Sequence, residues 1–494
     1  MISNAGALGW DVDEARVAMV DLRGPEPLDV TYGDLKRRSQ AVARGLVARG
    51  VRPGERVALA AFNRADFPAV LLGTLLAGAI AAPLNVKLPA KTLSEVIAAS
   101  GARLAFVETA FAAAIPTGVE VIDFDQGFED FLDFGDFEPV AVAPDAISMQ
   151  PYTSGSTGAP KGVLLTHGGQ IWAAGTLVEA RRLRADDRAI LAAPMYHKNA
   201  IVALKTALVS GSAMIVMPRF EAGAYARAIA DHGVTMLTGV PTMMRLLLDH
   251  PELPDAATRA KVRVVSMGSS PASERLLGDL ASAFPNAEIH LNYGTTEGGP
   301  IMFGWYHPDG RPQPNHSIGY PIEGCEWRLE GGATEDEGEL WVKNPGVAKG
   351  YQNRPEAAAE RFIDGWYRTG DRLRRDAEGW FYFVSRIDDM MVTGGENVFP
   401  QEVEGLLERH PAVRQAAVIA VPHETKGEVP VAFVVLRPGS TPDEAALKAY
   451  AIANGPAYAH PRRVLFVDSL PLNGANKIDK SALKDIFAKE TTPR

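Results

Sequence analysis

The chain has 494 residues, a formal net charge of −10, 46% hydrophobic residues and 22% charged residues. That length is too great for one ordinary core, so two or more domains are expected, and the acidic balance argues against a nucleic-acid-binding face. A single cysteine, Cys325, rules out an intramolecular disulfide and a cysteine-based metal cluster, and reads as a small buried residue.

In chain order, Met1 to Trp10 lacks the basic start and apolar run of a secretory signal. Arg56 to Phe62 is a β-rich apolar run, and Ala65 to Leu76 reads as helix. The uncharged stretch from Phe67 to Leu84 approaches the roughly 20 residues that span a bilayer. Pro68, Gly73, Gly78 and Pro83 interrupt it, so it reads as a buried helix, Val70 to Ala77, followed by a buried strand, Ala79 to Ala82. A cytoplasmic protein without membrane insertion is the expectation. Short apolar runs recur at Ile190 to Ala193, Ala213 to Met217, Val234 to Leu237 and Val262 to Met267. Helical patterns lie between or after them, at Leu204 to Val209, at Thr242 to Leu248 and through Leu276, Leu280 and Phe284, where Pro285 and Asn286 stop the helix. Such alternation predicts mostly parallel sheets covered by helices.

From Ile318 to Phe383 the pattern changes to short strands, such as Gly338 to Lys343 and Trp380 to Val384, separated by Gly-rich turns. A small antiparallel or barrel-like section is predicted there. After Asp388 the pattern is compact α+β. Strands are expected at Ala416 to Val421 and Val429 to Leu436, and helices at Ala445 to Ile452 and Lys480 to Ala488. The predicted fold is therefore α/β, with an N-terminal domain over residues 1–387 and a small C-terminal domain over 388–494. No internal repeat, heptad run or low-complexity block is present.

Several segments carry chemistry. Tyr152 to Val163 is a Gly/Ser-rich loop containing Thr153, Ser154, Gly155, Ser156, Thr157, Gly158 and Lys161. Its glycines let the backbone approach a ligand closely, successive backbone N–H groups form an anion nest, and the hydroxyls and Lys161 suit a polyphosphate. On composition alone a plain surface turn is an equal reading. It is not a Walker loop, because Lys161 lies between Pro160 and Gly162. Asn292 to Gly298 follows the strand Ile289 to Asn292, at the strand end where open α/β sheets bind ligands. There an aromatic ring can stack on a base, a hydroxyl can bond a phosphate and a carboxylate can hold Mg²⁺ beside phosphate oxygens. Taken alone, this segment is also an ordinary strand-to-helix turn. Lys198 and Lys205 could bind a second polar group of a ligand, but read more simply as solvated side chains.

Thr153 to Gly162 resembles the signature loop of the adenylate-forming superfamily, which includes acyl- and aryl-CoA synthetases, nonribosomal-peptide adenylation domains and beetle luciferases. Further matches follow in order over nearly the whole chain. The resemblance implies a large domain of helix-covered mixed sheets followed by a small, mobile α+β domain. It implies ATP, Mg²⁺ and coenzyme A as cofactor or co-substrates. It places Tyr293 against adenine, Thr296 on the α-phosphate and Glu297 on magnesium, with Asn292 and Thr295 beside them in the nucleotide site. Tyr367 to Asp371 resembles the ribose motif, so Asp371 and Arg386 are expected on the ribose. Pro471 to Lys480 resembles the C-terminal motif whose lysine, here Lys477, bridges carboxylate and α-phosphate. A carboxylate attacking a phosphate must overcome repulsion between two anions, and a positioned ammonium relieves it. Asp388 matches the hinge.

Gly394 and Gly395, in the loop from Met391 to Pro400, match the segment that admits the pantetheine arm. Tyr458 and His460 are expected along the CoA tunnel. His197 matches the gate beside the acyl site, and Thr238, Gly239, Met267, Gly268, Ser269 and Met302 match pocket-lining positions. No acidic residue stands where amino-acid-activating relatives hold an α-amine. The implied activity is ATP-dependent ligation of a small or medium, aryl or branched, monocarboxylic acid to CoA, by a monomer or homodimer. The alternative is an adenylating enzyme that loads a separate carrier protein. A non-catalytic nucleotide-binding protein is disfavoured by the presence of Lys477, Glu297 and Asp371.

Overall fold

A computed structural model describes residues 3–153, 160–299, 302–473 and 476–491. Two helix-covered sheets form most of the molecule. The first runs in the order Glu288–Asn292, Val264–Gly268, Met236–Gly239, Arg188–Leu191, Ala213–Val216, Val17–Asp21 and Leu28–Thr31. Its first six strands are parallel and the last closes an antiparallel hairpin. The second runs Leu165–Thr166, Ile147–Met149, Ile80–Pro83, Arg56–Ala60, Ala102–Val107 and Glu120–Asp123. Helices cover these strands, which is why the strands read as continuous apolar runs. Every residue of Ile80–Pro83 and Ala213–Val216 is buried.

The expected elements are found with small shifts at their ends. The helix and strand predicted in the uncharged stretch are Asp66–Leu76 and Ile80–Pro83. The pattern at Leu204 to Val209 belongs to a longer helix, Lys198–Ser210. Helix Tyr32–Ala48 carries a capping box, in which Thr31 accepts from the Asp34 backbone and the Asp34 carboxylate accepts from Thr31 N–H. The Gly-rich loop leads into a short strand and then a helix. A strand, Leu165–Thr166, precedes the following helix, His167–Ala180, and Thr166 caps that helix. Among the described residues, no helix is long and apolar enough to cross a membrane.

A third, antiparallel sheet is ordered Phe303–Gly304, Ser317–Pro321, Phe381–Arg386, Trp366–Arg375, Glu337–Lys343 and Glu326–Glu330. Beyond it, Val413–His423 and Gly427–Leu436 pair along ten registered positions and anchor a fourth sheet, which Pro400–Glu408, Glu444–Asn454 and Lys480–Thr491 accompany. The apolar clusters of this last region draw only on residues from Met391 onwards. Those of the first three sheets draw only on residues up to Phe383. The two sets meet through polar contacts: Arg414 pairs with Asp249, Arg361 with Asp388 at 3.6 Å, and Thr242 Oγ1 donates to the Asn476 carbonyl.

Candidate functional site

The carboxyl end of the first sheet, the stem of the Gly-rich loop and the third sheet converge on one space. Tyr152–Thr153 and Lys161–Gly162 pair antiparallel and form the loop's stem. Ser154, Gly155, Ser156, Thr157 and Gly158 lie outside the described residues. From the stem, Thr153 Oγ1 donates to Glu297 Oε1 at 3.2 Å, and Tyr351 OH donates to the same oxygen at 3.2 Å. The Lys161 ammonium stands 5.3 Å from the centre of the Tyr351 ring. Hydroxyls, a cation and one buried carboxylate therefore share the base of the loop.

Among the described residues, no group of three or more His, Cys, Asp or Glu side chains is arranged to hold a metal. A dedicated all-protein cage is thus not present there. A single carboxylate surrounded by hydroxyls suits Mg²⁺, which keeps most of its shell as water and phosphate oxygen.

The segment bearing Thr296 and Glu297 is fixed from outside. Lys198 Nζ donates to the Thr296 carbonyl at 2.7 Å, Ala348 N–H to the Glu297 carbonyl at 2.8 Å and Asn344 Nδ2 to the Gly298 carbonyl at 2.9 Å. Thr295 Oγ1 accepts from Gly298 N–H, so its hydroxyl serves the local turn. The Asn292 side chain is fully engaged. Its oxygen accepts from Arg181 at 3.0 Å and from Trp305 at 2.9 Å, and its amide donates to Ser266 at 2.6 Å.

Tyr293 and Asp371 come from different sheets and meet in a buried 2.5 Å hydrogen bond that Tyr293 donates. Arg386, the register partner of Asp371, stands 3.7 Å from the other carboxylate oxygen and also pairs with Asp388. Burial pushes the Asp371 carboxyl up, against the opposing pull of Arg386 and of the Tyr293 bond. Among the described residues the oxygen that faces Arg386 accepts no hydrogen bond, and a buried carboxylate oxygen so placed is a ready acceptor for hydroxyl donors.

Lys477 reaches this space from the tail. The turn carrying it closes through Asn473 N–H to the Lys477 carbonyl at 2.7 Å and a bridge between Leu472 and Ile478. It docks on helix Pro241–Leu248 through Thr242. Burial lowers the Lys477 ammonium from its ordinary value, and repulsion from Arg386 lowers it further. His197 is pushed down to about 4, first by burial and then by the charges of Lys477 and Lys87. Lys477 thus lies within electrostatic reach of both Arg386 and the His197 ring, although the three are far apart in the chain.

On the acyl side, His197 is half-buried at the start of helix Lys198–Ser210. Thr238 bonds the Ile190 carbonyl, and Gly239 abuts Met243 and Met244. Ser269 is exposed at φ +68° and accepts from Asn199. Gly268 pairs with Asn292 in the sheet. Met267 and Met302 are packed into apolar clusters, so they back the wall. Lys198 and Lys205 correct the expectation of solvated side chains, since both are buried. Among the described residues Lys205 donates to Gln170 and Met149, and Lys198 is pushed down to about 7 by burial, opposed by Glu297. Cys325 is half-buried, and burial pushes its thiol up to about 12.

Gly394 and Gly395 both take positive φ in a two-residue hairpin turn, with open space where a Cβ would stand. They, Tyr458 and the His460–Arg462 pair belong to the C-terminal part of the chain, and Tyr458 is exposed. Sequence reading missed Tyr351 and the inward position of Lys198. Lys198 stands beside His197 in a recognisable segment and Tyr351 stands in none, but each reaches Thr296 or Glu297 across a long span of chain, which leaves no local signal.

Residues 10–352 match the AMP-binding enzyme family, and residues 402–477 match the AMP-binding enzyme C-terminal domain. A feruloyl-CoA synthase from Amycolatopsis sp is 36% identical, with 98% of this chain and 99% of that protein aligned. The fatty acid–[acyl-carrier-protein] ligase ScoC from Streptomyces coeruleorubidus is 32% identical over 93% of this chain and 92% of its own. Among solved structures, ATP-bound MatB from Rhodopseudomonas palustris superposes with a TM-score of 0.90 at 29% identity, covering 100% of both chains. The apo form of the same protein gives 0.80.

Proposed function

The chain belongs to the AMP-binding enzyme family, and from that premise we propose the reaction it runs and the residues that run it. It is an ATP-dependent carboxylate–CoA ligase. In the first step a carboxylate oxygen attacks the α-phosphorus of ATP, an acyl–phosphate bond forms and pyrophosphate leaves. In the second, the thiol of CoA attacks the acyl carbonyl, a thioester forms, AMP leaves and the thiol proton passes to solvent.

In this reading residues 1–387 bind nucleotide and acid, and residues 388–494 turn about Asp388 between the steps. Tyr293 lies along the base, Asp371 and Arg386 hold the ribose and Thr296 holds the α-phosphate. Mg²⁺ would sit on Glu297 and offset phosphate charge. Lys477 steadies the two anions as they approach. The neutral His197 ring divides the acid site from the thiol path, and Thr238, Gly239, Gly268 and Ser269 border the acid. Gly394, Gly395, Tyr458 and His460 meet CoA only after the rotation. The observation that carries this reading is the docking of the Lys477 turn on helix Pro241–Leu248, through the bond Thr242 donates to the Asn476 carbonyl.

The favoured acid is a small or medium aryl or branched monocarboxylate, in keeping with the feruloyl-CoA synthase relative. Transfer to a carrier protein is the second reading, favoured by the relative that acylates one. A panel of acids including ferulate, incubated with ATP and either CoA or a phosphopantetheinylated carrier, separates the two. AMP release that needs both an acid and free CoA is expected. Turnover on the carrier alone would select the second reading, and pyrophosphate release independent of any acid would reject both.

A further inference from the structure

Lys198 has no role in the scheme above, yet it occupies an expensive place. An ammonium held out of water persists when it gains hydrogen bonds and compensating charge. Here it donates a hydrogen bond to the Thr296 carbonyl at 2.7 Å, and the compensating charge is Glu297. A second buried lysine, Lys205, lies close enough on the same helix to be affected by its charge.

The placement has a clear geometric consequence. The carbonyls of Thr296, Glu297 and Gly298 are each held by a donor from elsewhere in the chain: Lys198 from the start of its helix, and Ala348 and Asn344 from the loop that follows strand Glu337–Lys343. With three successive carbonyls anchored, the peptide planes between them cannot rotate freely. The directions in which the Thr296 and Glu297 side chains leave the backbone are therefore set before any ligand arrives, and Thr153 and Tyr351 hold the Glu297 carboxylate itself. Lys198 is the charged member of the three, and it anchors the start of helix Lys198–Ser210 to the segment.

We propose that Lys198 is a positioning residue that orients Thr296 and Glu297 to receive magnesium-bound ATP. It touches neither the nucleotide nor the acid, and acts through the Thr296 carbonyl. The proposal rests on the assignment of Glu297 to magnesium. Orienting partners of this kind typically change metal affinity or activity by about 10–100-fold when removed.

The test is calorimetric binding of ATP to the full-length protein, in excess Mg²⁺ and again in EDTA, with no acid present. The wild type is expected to bind more tightly with Mg²⁺. Lys198→Met, which keeps the length and loses the donor, should forfeit about 10–100-fold of that magnesium-dependent gain while its affinity in EDTA stays within about twofold. Lys198→Gln, which restores an uncharged N–H donor, should recover part of the gain, and it carries the test if the methionine variant does not fold. An unchanged magnesium gain in both variants overturns the proposal. So does an equal loss with and without Mg²⁺, which marks a general structural role. A wild type that binds no ATP in either buffer instead overturns the function proposed above.

Discussion

Replacing Lys477 with methionine separates chemistry from folding. The turn that carries it is closed by backbone groups, with Asn473 N–H on the Lys477 carbonyl and the Leu472–Ile478 bridge, so the turn does not depend on the ammonium. The side chain is costly in the ligand-free protein, where burial and Arg386 both disfavour its charge. Lys477→Met should therefore leave thermal stability unchanged or slightly raised. It should also let the His197 imidazole move up from about 4, because one of the charges that depress it is gone. Loss of a group that stabilises developing charge costs about 2.7–4 kcal/mol, or roughly 10²–10³ in rate. That loss should fall on acid-dependent pyrophosphate release, while thioester formation from supplied acyl-adenylate stays near wild type. Calorimetry, NMR titration of the histidine and separate assays of the two half-reactions read all three quantities. Equal losses in both half-reactions, or a falling melting temperature, would refute the reasoning.

Four further outcomes are expected. Asp371→Asn removes the charge from the acceptor bonded by Tyr293, and a charge-assisted hydrogen bond is worth about 1.5–3 kcal/mol, so ATP binding should weaken by about 10–100-fold in calorimetry. Acid should destabilise the fold in part through His197: the unfolded chain takes up that proton near 6.5 and the folded chain near 4, so this contribution is complete above 6.5 and is lost as pH falls towards 4. The drop in melting temperature between pH 7.5 and pH 5 should accordingly be smaller in His197→Gln than in wild type. Gly319→Ala would bring a Cβ within 2.2 Å of the Gly304 carbonyl at φ +114°, so denaturant unfolding should show a loss of about 1–3 kcal/mol or more. Asp388→Pro should hinder rotation, sparing pyrophosphate release and slowing thioester formation; unchanged rates in both would remove Asp388 from the hinge.

The parts of the fold that were legible in the sequence are those set by local pattern. Asp66–Leu76 and Ile80–Pro83 could be separated because prolines and glycines punctuate an apolar stretch. Glu274–Ala283 could be placed because Leu276, Leu280 and Phe284 recur at helical spacing, and all three are buried. Tyr293, Glu297, Asp371 and Lys477 stood out because each lies in a continuous motif.

Contacts made across the fold were not legible. Lys198 meets Thr296 across 98 positions and Tyr351 meets Glu297 across 54, and neither spacing leaves a local trace. Composition gives a lysine beside a histidine a solvated default, whereas in the fold helix Lys198–Ser210 packs against helix His167–Ala180 and strand Ala213–Val216, and Lys198 is buried. Likewise Met267 reads as a pocket residue by position. The strand Val264–Gly268 alternates faces, however, and turns its side chain into the core behind the wall.

The central claim is that an oxygen of the acid becomes bonded to the α-phosphorus of ATP. Incubating the protein with ATP, CoA and a turned-over acid labelled with ¹⁸O in its carboxylate tests this directly. Mass spectrometry should find one labelled oxygen in the AMP released. Label appearing in inorganic phosphate, or AMP without label, would contradict the account.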